Sequence, residues 1–133
     1  MKGHIEKAQN NEKFINFLEQ SVPTDFYDWK TTIIFYAGYH YLIAFIKFNK
    51  VASAFSHKQT DAIINPANPQ AKLPLPEDIY THYQTLYLNS RLTRYYPHEG
   101  GDFQLLLLQV KTAESKKSLL ALKAYFKKEG LKF

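Results

Sequence analysis

The chain has 133 residues, of which 45% are hydrophobic, 22% charged and 16% aromatic, with no cysteine and a formal net charge of +5. This is the size of one domain, able to bury a core without cross-links, and the composition fits neither a disordered polymer nor a membrane protein. The lack of cysteine excludes disulfide scaffolds, thiolate zinc sites, iron–sulfur ligation and thiol nucleophiles. Residues 1–110 balance ten basic against ten acidic side chains, so the whole excess lies in residues 111–133, where seven lysines face Glu114 and Glu129. A basic terminal helix attracts phosphates; the plain alternative is a solvated face.

Residues 2–20 are expected to form the first helix, with a stripe of Ile5, Phe14, Phe17 and Leu18 ended by Pro23. They hold no continuous apolar leader, which points to a cytoplasmic protein. Asp25 is placed to cap a second helix over residues 25–49, with Phe26 and Trp29 in its first turns. Three stripes run along this helix. They are Trp29, Ile33, Tyr36, His40 and Ile43; Ile34, Tyr41, Phe45 and Phe48; and Phe35, Tyr39, Leu42 and Ile46. A helix apolar on nearly every side belongs inside a bundle or between two subunits. Its most apolar run, residues 33–46, is too short to span a bilayer, and no membrane partner is expected.

Ser56 and Gln59 form a capping box for a short helix ending near Ile64. Asn65-Pro66, Asn68-Pro69, Pro74 and Pro76 then predict an irregular connection, a kind of long loop that is often functional. A third long helix starts near Pro76 or Glu77, stops before Pro97, and carries Ile79, Tyr83 and Leu86 on its core stripe. Asp102 is expected to cap the last helix, which ends at Gly130 and turns Leu105, Leu108, Thr112, Ser115, Leu119, Leu122 and Phe126 inward. The predicted fold is all-α: one domain, an antiparallel up-and-down four-helix bundle with an additional short helix in the central connection. A sheet reading of residues 105–110 lacks an alternating partner strand.

No glycine-rich phosphate loop, HExxH pair or nucleophile elbow is present. Asp78 and His82 lie one helical turn apart, but two ligands do not make a metal site, so neither metal nor cofactor is expected. His40 reads as a satisfied core histidine, and His4 and His82 as ordinary surface groups. His57 opens the short helix, whose positive end favours a neutral, hydrogen-bonding imidazole. The richest cluster is Ser90-Arg91-Leu92-Thr93-Arg94-Tyr95-Tyr96-Pro97-His98. Arginine clamps phosphate with a planar fork, histidine moves protons near neutrality, and tyrosine stacks on bases. The plain reading is a helix end with arginines paired to nearby carboxylates.

Asp28-Trp29-x5-Phe35-Tyr36-x3-His40, the later Ser56-His57, and Tyr83-x2-Leu86-x3-Ser90-Arg91-x2-Arg94-Tyr95 resemble a branch of the HEPN (higher eukaryotes and prokaryotes nucleotide-binding) superfamily. The resemblance covers about residues 14–98. It implies a helical bundle that commonly forms a homodimer. Catalytic members are metal-independent ribonucleases with Arg-x4–6-His, a spacing met by Arg91-x6-His98. By that analogy Arg91 stabilises the pentacoordinate phosphate and His98 acts as general base or acid. Other members bind nucleotides, RNA or proteins without catalysis. The leading expectation is such a non-catalytic module, with Arg94, Tyr95, His57, Lys116, Lys117, Lys127 and Lys128 as binding residues. The ribonuclease and a purely structural subunit are the alternatives.

Overall fold

The computed structural model describes residues 2–52, 56–95 and 101–133. It contains α1 (Lys2–Ser21), α2 (Tyr27–Phe48), α3 (His57–Ile64), α4 (Glu77–Tyr95) and α5 (Asp102–Lys128), with no strand among the described residues. Residues 105–110 lie within α5, so the sheet reading is excluded.

The helix directions follow from cross-contacts. His4 meets His40, and Thr31 meets Thr93, so α2 runs against both α1 and α4. Asn89 reaches Ser115 and His82 reaches Ser118, so α4 runs against α5. Tyr27 contacts Gln109 while Phe45 stacks on Phe126, so α2 and α5 run parallel. α2 therefore packs against α1, α4 and α5 together. Within residues 33–46 only Tyr36 is exposed, and that by 45%, in keeping with the near-continuous apolar sequence. Gly38 marks the tightest packing, since a Cβ there would sit 2.5 Å from Cδ1 of Leu86 and 3.6 Å from Cδ1 of Leu122.

Several expected contacts are replaced by others. The buried residues of α1 are Ala8 and Ile15, while Phe14 and Phe17 point to solvent. The inward stripe also carries Glu12 and Glu19, which pair with Lys123 and Lys116 of α5. Trp29 lies outside the core, because Ile34, Tyr41 and Phe45 take the interior side of α2. On α5 the core face begins at Thr112 and Ser115, whereas Leu105 is exposed.

Caps differ too. The residue before α2 is Phe26 at φ 59°, ψ 38°, and Asp25 accepts a hydrogen bond from the Phe26 N–H at 2.8 Å instead of capping the helix. Gly101 precedes α5, with Asp102 its first helical residue. The Ser56 cap is as expected: its Oγ accepts from the Gln59 N–H at 3.1 Å. Asn65 and Asn68 fold the proline-rich connection by accepting from the N–H groups two residues on. Leu73 and Leu75 then donate their N–H groups to Ile63 and Ile64 carbonyls, seating Leu75 in the core.

Candidate functional site

Two arrangements stand out: a ring cluster where α3 meets α4, and an aromatic groove between α1 and α2. Ser56 starts α3 so that His57 faces α4. The His57 ring lies 3.4 Å from the Tyr87 ring at 11°, and its Nδ1 is 3.0 Å from the Tyr83 hydroxyl. One turn beyond Tyr87, Arg91 donates Nη1–H to the Tyr87 hydroxyl at 2.8 Å. The structure thus brings His57 and Arg91 onto one tyrosine.

Burial pushes His57 below its usual pKa, Asp61 opposes that shift, and Arg91 adds to it. The imidazole is therefore neutral at pH 7. Tyr83 is fully buried and stays a neutral phenol, its pKa raised by burial first and then by the neighbouring acidic groups. Tyr80 donates to the Asp61 carboxylate and accepts from Gln84; burial and that bond push it up to about 12. These contacts clasp α3 to α4 and leave the arginine head exposed.

The other predicted residues scatter. Arg94 donates Nε–H to the Ser90 carbonyl at 3.1 Å. Tyr95 closes α4, but its side chain and the whole of His98 lie outside the described residues. Lys116 is ion-paired with Glu19, and Lys123 donates to Glu12 at 2.7 Å. Lys127 lies over the Phe133 ring at 4.6 Å, while Lys117 and Lys128 are exposed. Part of the α5 charge is therefore spent inside the molecule on α1 carboxylates.

His40 does not converge with His57. Its Nδ1 lies 3.0 Å from Nδ1 of His4, so His40 is hydrogen-bonded as expected, and its partner is a histidine that the sequence reads as an ordinary surface group. A chain of tilted and edge-on ring contacts through Tyr39, Phe35 and Tyr87 lies between His40 and His57. His82 bonds Ser118 at 3.1 Å, and no group of three or more metal-ligating residues occurs among the described residues.

The groove was not legible in the sequence. Phe14 and Phe17 stack at 6.5 Å on the outer side of α1. The turn at Phe26 throws its ring beside them, and Trp29 and Ile33 complete the wall from α2. The groove holds about 350 Å³ and exposes apolar atoms alone. Trp29 is 60% exposed and Phe17 61%. Comparison with protein-family models, with curated proteins and with solved structures finds no match. No helix of the described residues is long and apolar enough to cross a membrane.

Proposed function

We propose that the chain is a non-catalytic helical interaction module of the HEPN type, which pairs with a second copy of itself through the α1–α2 aromatic face. The observation that carries this reading is the exposure of Trp29 beside Phe14, Phe17 and Phe26 around a wholly apolar groove. Large contiguous aromatic patches rimmed by polar residues mark association surfaces, and tryptophan is the residue most concentrated at their centres. With Tyr36, five half-exposed aromatic side chains of roughly 200 Å² each offer about 500 Å² of apolar surface. A standard interface needs about 800 Å² per partner, about two thirds of it apolar in a homodimer. The patch therefore matches the apolar portion of one symmetric interface.

The test is sedimentation over a micromolar-to-millimolar dilution series, comparing wild type with Phe17→Asp and Trp29→Asp. A dimer that both substitutions convert to a folded monomer supports the reading. A monomeric wild type throughout removes it.

A second reading concerns the α4 edge. Arg91 held on Tyr87, with His57 stacked on the same ring, combines a cation with aromatic faces. That pairing suits a nucleotide or a single RNA strand. It predicts affinity that falls steeply with salt and with Arg91→Ala. The ribonuclease reading draws no geometric support, because His98 lies outside the described residues. RNA cleavage that survives EDTA and disappears in both Arg91→Ala and His98→Ala would restore it.

A further inference from the structure

A second cavity lies on the opposite side of the α1–α2 turn. It holds about 390 Å³ between the end of α1, the start of α2 and the middle of α5, and Glu19, Tyr27, Lys30, Gln109 and Lys116 line it. At roughly 30 Å³ per water-sized volume, it has room for about a dozen non-hydrogen atoms.

Lys30 is 1% exposed. Its Nζ donates to the Val22 carbonyl at 2.6 Å and lies 4.9 Å from the centre of the Tyr27 ring. An ammonium has three N–H donors, and Val22 takes one. No described carboxylate forms an ion pair with Lys30; Asp25 acts on it only at longer range. Lys116, from the facing helix, pairs with Glu19. Two ammonium groups against one carboxylate leave the cleft with one positive charge. Burial lowers the pKa of both lysines, and Asp25 opposes the shift at Lys30. The polar wall is fixed, because Gln109 donates to the Tyr27 hydroxyl at 3.2 Å and that hydroxyl donates to the Pro23 carbonyl at 3.3 Å.

We propose that this cleft binds the oxyanion group of a small molecule, a carboxylate or a phosphate, between Lys30 and Lys116. The bound group takes the spare Lys30 donors and competes with Glu19 for Lys116, so a singly charged anion neutralises the site. Charge-assisted bonds in a partly desolvated cleft are stronger than the same contacts in water.

The test is thermal unfolding at pH 7 in sodium phosphate or sodium acetate, against sodium chloride at equal ionic strength. Binding to the folded state raises Tm along a saturating curve, distinct from the near-linear effect of general salt exclusion. Saturation in acetate alone identifies a carboxylate ligand; saturation in phosphate alone identifies a phosphate. Lys116→Gln, which removes a half-exposed side chain and keeps the fold, should weaken the saturating effect at least tenfold; Lys30→Met should do the same if it folds. Lys72→Gln, an exposed lysine of the connection between α3 and α4 that does not line the cleft, should leave it intact. The proposal is overturned if neither anion differs from chloride, or if the saturating rise persists in Lys116→Gln.

Discussion

Nδ1 of His4 lies 3.0 Å from Nδ1 of His40, so two imidazoles hold the first turn of α1 against the second half of α2. Both rings are kept neutral. Burial, then His4 and Lys7, lowers His40 from 6.5 to about 4. Burial, then Lys47, the N-terminus and Lys7, lowers His4.

A histidine whose folded-state pKa is depressed contributes stability that is complete above its unfolded value and is lost as pH falls through the folded one. Stability should therefore decline between about pH 6.5 and about pH 4, by an amount on the order of 1 kcal/mol for these half-exposed rings after solvent screening. Urea unfolding across that window checks it. His40→Gln should flatten the profile, leaving the smaller contributions of His4 and His57, whose pKa values are also lowered. An equally steep profile in the variant would assign the pH dependence to other groups.

Trp29→Ala separates surface from core. A core tryptophan costs about 3–5 kcal/mol on truncation, whereas an exposed one away from special features changes stability by about 0.5 kcal/mol. At 60% exposure, Trp29 belongs to the second class. The variant should be folded and close to wild type in chemical denaturation of the monomer, and it should lose self-association. A loss of several kcal/mol in the monomer would put the indole inside the bundle.

α2 and α5 end in the same way, with different residues at the left-handed position. Val51 and Leu131 N–H groups bond to Ile46 and Phe126 carbonyls, and Lys50 and Gly130 N–H groups bond to Lys47 and Lys127 carbonyls. The left-handed residue is Lys50 at φ 60° in one case and Gly130 at φ 106° in the other. Glycine suits this position because it lacks a Cβ. Lys50→Gly should stabilise the protein by roughly 0.5–1 kcal/mol. Gly130→Ala should destabilise it, since the new Cβ would also lie 3.3 Å from Cζ of Phe48. Thermal melts that move in opposite directions check the pair.

Gly38→Ala tests the central packing. Alanine favours a helix over glycine by about 1 kcal/mol, but overpacking costs about 1–3 kcal/mol. Leu86 is fully buried and must shift to clear a Cβ 2.5 Å from its Cδ1, with Leu122 and Leu119 close by, so the steric cost wins. The expected outcome is a net loss of roughly 1 kcal/mol in denaturant unfolding.

The central helix, the capped α3 and the helical bundle were legible because each rests on local signals: an apolar run, a Ser56–Gln59 box, a terminating glycine. The candidate site was legible only in part. Arg91 and His57 stand out by residue type, but Tyr87, the ring that joins them, looks like any core tyrosine in a helical stripe. The groove was hidden for a different reason. When all three stripes of a helix are apolar, periodicity cannot say which one lacks a neighbour; that depends on where α1 lands. α1 lands on Ala8 and Ile15, with Glu12 and Glu19 beside lysines more than ninety positions away, a set of contacts no short sequence window contains.

The parallel contact between α2 and α5 has a consequence for cutting the chain. Because α2 touches every other long helix, no break in a connecting segment yields two pieces that each keep a closed interior. A protease that severs the proline-rich connection between α3 and α4 should therefore leave a nicked complex that co-elutes as one particle, and neither fragment should be recoverable in folded form alone.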